Sequence, residues 1–68
     1  MELTVNGKKI EVTDGATIAA RLEELQINPL RVAVQLNQQI TKRELYESTA
    51  LQAGDTVEII TFMAGGSQ

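Results

Sequence analysis

An α+β fold, with one mixed sheet wrapping a single main helix, is predicted by three features of this 68-residue chain. Alternating apolar residues flank Asn6-Gly7 near its start. A stripe of apolar residues at helical spacing follows over residues 18–25. A β-branched run over residues 56–62 closes the patterned part of the sequence.

Each element has its own signal. Leu3, Val5, Ile10 and Val12 alternate with polar residues around Asn6-Gly7, a dipeptide that favours a type I′ turn. A two-residue loop places Val5 opposite Lys8 and Leu3 opposite Ile10, so the apolar side chains share one face of a hairpin over residues 2–12. The turn at residues 13–17 ends in Thr17, a helix cap. Ile18, Leu22 and Leu25 then recur at i, i+4 and i+7, while Ala19 and Ala20 allow close approach to a sheet. Asn28-Pro29 is expected to end this short helix, because proline disfavours a helical residue before it and donates no amide hydrogen bond.

Val32, Val34 and Leu36 alternate again, and Asn37-Gln38-Gln39 reads as a polar turn. From Ile40 to Leu51 the pattern weakens and assigns no element. Ile40, Leu45 and Leu51 are expected to be buried, and Tyr46 half-buried. Ala53-Gly54-Asp55 is a turn in which glycine is free to take positive φ. In the last strand Val57, Ile59 and Thr61 share one face, and Ile60 and Phe62 the other. Hairpin, helix, strand, irregular segment and strand is the order of a β-grasp, with residues 1–62 as the domain and 63–68 as a flexible tail.

Composition narrows the chemistry. The chain is 43% hydrophobic and 22% charged, a globular balance, but its apolar positions suffice for about one core. Little is expected to remain for a substrate cavity. With no cysteine and no histidine, it lacks a thiolate, the commonest general base and the commonest nitrogen ligand for metals. No metal or cofactor is expected, and the chain is not expected to be an enzyme. A net charge of −3 with scattered Lys and Arg argues against nucleic acid. No apolar run reaches membrane-span length and no signal peptide is visible, so a cytoplasmic location is expected.

The carboxylates form no acid–base pair. Glu23 and Glu24 point about 100° apart on a helix, and Asp14 and Asp55 lie in turns where Asp bonds nearby backbone. Phe62 has two readings: satellite core under a loop, or part of a docking patch with Ile60 and Met63, since Phe and Met are enriched at interface centres. The tail, Ala64-Gly65-Gly66, loses its side chains where the fold ends. Glycine leaves the backbone slim enough to thread a narrow channel and able to take either sign of φ.

Together these residues resemble the thiamin-biosynthesis sulfur carriers, the ThiS family, over nearly the whole length. The resemblance rests on Val5-Asn6-Gly7, Asp14-Gly15-Ala16-Thr17, Arg31-Val32-Ala33-Val34 with Leu36-Asn37, Gly54-Asp55 with Val57-Glu58-Ile59, and Gly65-Gly66. Molybdopterin-synthase small subunits share the Gly-Gly end but usually carry prolines before it, and residues 60–64 have none. The resemblance implies a ubiquitin-like β-grasp and a carrier cycle. An adenylating enzyme related to ubiquitin activators would use ATP to place AMP on the Gly66 carboxylate. Sulfur from a cysteine desulfurase or rhodanese-type donor would displace AMP to give a thiocarboxylate. Thiazole synthase would then receive the sulfur.

One feature departs from the family pattern: Ser67-Gln68 follow Gly66, so Gly66 carries an amide where a carboxylate is needed. The two residues are either left over from a tag or native and trimmed by a protease. Delivery to another pathway (cysteine, a metal-pterin cofactor or a siderophore) and a ubiquitin-like interaction module without tail chemistry are the alternatives.

Overall fold

Asn6 and Gly7 both take positive φ, 50° and 83°, and so make the tight turn between β1 (Glu2–Val5) and β2 (Lys8–Glu11). The computed structural model describes residues 1–62. The hairpin register is the expected one, with Leu3 opposite Ile10 and Val5 opposite Lys8. Leu3 and Val12 are buried, and Val5 and Ile10 pack against the same cluster.

The helix α1 spans Ile18–Glu24. Its first turn is capped by Thr17, whose Oγ1 accepts from the Ala20 amide at 3.1 Å; such a cap contributes about 1 kcal/mol. Ile18 and Leu22 are buried and Ala19 packs beside them. Two expectations fail here. Leu25 is 41% exposed and Ala20 is exposed, so the apolar stripe is shorter than its spacing suggested. Pro29 is not the stop either. The chain leaves the helix at Gln26, at φ 60°, where the Gln26 amide donates to Glu23 O and the Ile27 amide to Leu22 O at 2.9 Å. This is a Schellman ending with glutamine in the left-handed position. It turns the chain so that Leu25 stays outside while Ile27 packs against the core. Asn28 and Pro29 instead open a 3₁₀ turn, Pro29–Arg31, capped by Asn28 Oδ1 on the Leu30 amide at 2.9 Å.

Strands β3 (Val32–Leu36), β4 (Gln39–Thr41) and β5 (Thr56–Thr61) complete a five-stranded sheet of order β2-β1-β5-β3-β4. The central β1–β5 pair is parallel and the others are antiparallel. One face of the sheet carries α1 over a core that includes Leu3, Leu22, Val34 and Val57. The sheet and helix predicted from sequence are therefore both present, with β4 as the strand the pattern did not assign.

The weak segment holds three corrections. Asn37 and Gln38 alone form the turn, both at positive φ, and Gln39 already belongs to β4 opposite Leu36. The register then sets Ile40 opposite Gln35, on the face away from α1, and Ile40 is 62% exposed instead of buried. Past β4, a 3₁₀ turn at Arg43–Leu45 points Leu45 outward and Tyr46 inward. Leu45 is 47% exposed, while Tyr46 is fully buried, and its carbonyl accepts from the Ala19 amide at 3.0 Å. Leu51 is buried as expected, and Gly54 takes φ 87° in its turn.

Candidate functional site

The two turn carboxylates, Asp14 and Asp55, are occupied with structure. Asp55 accepts from the Gln52 amide at 2.8 Å and from Asn37 Nδ2 at 3.1 Å. Asp14 lies 3.0 Å from the Met1 ammonium, with Glu11 at 3.4 Å. The hydrogen bond that the amine donates to Asp14 raises its pKa above its ordinary value. Among the described residues, no group of acidic side chains is arranged to hold a metal ion. No helix among them is long and apolar enough to cross a membrane.

An open groove of about 750 Å³ runs between the end of α1 and the second 3₁₀ turn, which is more space than composition suggested. Leu22, Ile27 and Tyr46 lie along it with Glu23, Glu44 and Glu47. With neither histidine nor cysteine in the chain, it offers carboxylates and a phenol but no strong nucleophile.

The opposite face of the sheet is different in kind. β5 alternates as the sequence predicts: Val57 is buried and Ile59 packs on the core, while Ile60 and Phe62 stand 45% and 56% exposed. Ile60 sits opposite Ala33, whose small side chain leaves the isoleucine unshielded. Phe62 continues the ladder, its amide donating to Arg31 O at 2.8 Å. The satellite-core reading of Phe62 therefore fails, because at that exposure nothing among the described residues covers the ring. Ile40 adds a further apolar side chain to this face, two strands away. Sequence reasoning missed it, although counting the Asn37-Gln38 turn as two residues would have placed it outside. Exposed large apolar side chains gathered on one face mark an interaction surface more often than isolated ones do.

Met63, Ala64, Gly65 and Gly66, expected to form the docking edge and the reactive tail, lie outside the described residues, as do Ser67 and Gln68. What the structure places is their point of departure. β5 ends at Thr61, and the exposed Phe62 is the last described residue before them.

A mixed sheet of this order, wrapped on one helix and bearing an apolar outer face beside its final strand, defines a ubiquitin-like β-grasp domain. The chain belongs to the ThiS family, whose model matches residues 1–66 and so stops at Gly66. A crystal structure of the thiamine biosynthesis protein (ThiS) from Geobacter metallireducens superposes with a TM-score of 0.84 at 36% identity, covering 97% of this chain and 100% of that one. The sulfur carrier protein ThiS of Escherichia coli is 30% identical over 66 residues, which is 97% of this chain and 100% of that protein. A thiazole synthase of Paramagnetospirillum magneticum is 36% identical over 67 residues, 98% of this chain. That match covers only 21% of the synthase, and a second thiazole synthase, from Magnetococcus marinus, is matched over 20% of its length. The chain thus spans about a fifth of these two relatives.

Proposed function

We propose that this chain is a sulfur carrier for thiamin biosynthesis, working in the cytoplasm and supplying no active site of its own. The observation that carries the reading is the continuity of β5. A strand with an exposed apolar face, Ile60 and Phe62, runs straight into a sequence that ends its family match at Gly65-Gly66. The domain docks through that face, and residues 63–66 are the arm that enters a partner's site.

Once Ser67-Gln68 are removed, a Gly66 carboxylate oxygen attacks the α-phosphorus of ATP and pyrophosphate leaves. An adenylating enzyme related to ubiquitin activators directs this step. The acyl adenylate is then attacked at its carbonyl carbon by a persulfide from a cysteine desulfurase or rhodanese-type donor, and AMP leaves. Thiol reduction of the resulting S–S bond frees the thiocarboxylate. Thiazole synthase consumes it, a partner suggested by the two thiazole synthases that contain a segment like this chain. The lack of cysteine suits this role, since the sulfur rides on a carbonyl carbon.

The test is direct. The chain ending at Gly66, incubated with a cognate adenylating enzyme, ATP and a persulfide donor, should gain the mass of sulfur in place of oxygen. An unchanged mass in conditions that thiocarboxylate a known carrier would sink the reading in favour of an interaction module.

Docking has a separate signature. Phe62→Ala should weaken binding to the adenylating enzyme by about tenfold or more, the loss expected of an interface aromatic. Its unfolding free energy should stay within about 0.5 kcal/mol of the parent, as for other exposed positions. Titration calorimetry and urea unfolding separate the two. A large stability loss with unchanged affinity would return Phe62 to the core.

A further inference from the structure

β5 is gripped at both ends by asparagine side chains that the fold had already used as turn formers. At its start, the Asn37 main-chain amide donates to Thr56 O at 2.7 Å and Asn37 Oδ1 accepts from the Thr56 amide at 2.9 Å. Towards its end, Asn6 does the same. The Asn6 main-chain amide donates to Val57 O at 2.9 Å, its Oδ1 accepts from the Ile59 amide at 2.7 Å, and its Nδ2 donates to Ile59 O at 3.3 Å.

The need for this second grip follows from the topology. The parallel β1–β5 ladder pairs only Thr4 with Thr56 and Val5 with Val57, because β1 turns away at Asn6. Without a substitute strand, the main chain of Ile59 has no partner on that side. The Asn6 side chain stands in for the missing residue of β1, satisfying both an amide and a carbonyl across 53 positions of sequence. Positive φ at Asn6 is what swings the amide into line with β5.

We propose that Asn6 is a positioning residue for the carrier reaction: by pinning the Ile59 main chain, it fixes the outward presentation of Ile60 and Phe62 to the adenylating enzyme. This rests on the carrier reading above. Ile59 is the last residue of β5 held from the β1 side by a described hydrogen bond, and Ile60 follows it directly. A rotation of the peptide planes at Ile59 would carry the alternation of Ile60 and Phe62 with it, since successive strand residues face opposite ways. The Asn37 side chain holds the same strand by one bond, from the Thr56 amide, at the end remote from this face. It is the internal control.

The experiment compares Asn6→Gly with Asn37→Gly in the chain ending at Gly66. Glycine keeps the positive φ that both turns need and removes the side-chain bonds, which at Asn37 include the one from Nδ2 to Asp55. Melting temperature is recorded for each, with KM for the carrier and kcat from pyrophosphate release by the adenylating enzyme at saturating ATP. Amide exchange at Ile59 and Thr56 reports whether each grip has been released. Both variants should lose protection locally and melt somewhat lower. Asn6→Gly should raise KM about tenfold, the scale of losing one or two positioned hydrogen bonds, with Asn37→Gly within about twofold of the parent. Asn6→Asp, which keeps an oxygen for the Ile59 amide but loses the donor, should fall between and serves if the glycine variant does not fold. Equal KM changes for Asn6→Gly and Asn37→Gly, or none for either, would overturn the proposal. A parent chain that is never adenylated would remove the carrier reading first, and this inference with it.

Discussion

A chain ending at Gly66 should be adenylated, the same chain still carrying Ser67-Gln68 should not, and Gly66→Ala should slow the reaction by about a hundredfold or more. The first contrast is chemical. Adenylation needs a carboxylate oxygen to attack phosphorus, and in the longer chain the Gly66 carbonyl is an amide whose oxygen is a far weaker nucleophile. The second contrast is steric. A reacting group displaced by about 1 Å can cost two orders of magnitude, and an alanine methyl must be accommodated in a channel shaped around bare backbone. Alanine also loses most of the positive-φ conformations glycine adopts freely. Pyrophosphate release measures the rates, and circular dichroism of each chain controls for folding. A normal rate for Gly66→Ala would show that the channel tolerates a side chain. A normal rate for the longer chain would place the reacting group elsewhere.

How much of this was legible in the sequence depends on how local each signal is. The Asn6-Gly7 hairpin was readable to its register, because turn type and alternation are set by neighbouring residues. So was the face that Ile60 and Phe62 share, since alternation along one strand needs only one buried anchor, Val57, but alternation left open whether Phe62 was covered there. The failures are places where a distant partner decides. Nothing near Gln26 announces a left-handed residue; the Schellman bonds form because Ile27 can reach the core, which local propensity does not contain. Tyr46 and Leu45 depart from their expected burial because Leu45 ends a 3₁₀ turn, in a segment to which the sequence pattern assigned no element. Ile40 was misplaced by a turn counted one residue too long, which flips a strand's faces.

The asparagine grips on β5 show the same limit from the functional side. Asn6 and Asn37 read locally as turn residues and nothing more. Their second role depends on β5 lying between β1 and β3, and so beside both turns, long-range pairings that no local pattern encodes. The Gly-Gly end is the reverse case: the role proposed for it rests on the order of residues after the last strand, and it lies outside the described residues.

Leu22→Ala should lower stability by about 2–5 kcal/mol, the range for emptying a buried leucine site. Leu22 is 1% exposed, faces the sheet from the middle of α1, and its carbonyl accepts the Ile27 amide that ends the helix. Single cores in domains of this size rarely supply more than about 3–5 kcal/mol. The substitution therefore removes much or all of the margin. At about 4–8 °C per kcal/mol, even the low figure lowers Tm by roughly 10 °C. Leu30→Ala is the matched control: at 62% exposure, Leu30 should change stability by no more than about 0.5 kcal/mol. Urea unfolding reads both, and a Leu22→Ala loss below about 1 kcal/mol would mean that the core had collapsed onto the cavity. Activity then separates fold from site. Leu22→Ala should be adenylated normally at low temperature and fail as it melts, because its docking face survives only while the sheet does. Gly66→Ala should be slow at every temperature while melting with the parent, and that pairing distinguishes a domain that presents the tail from the tail that reacts.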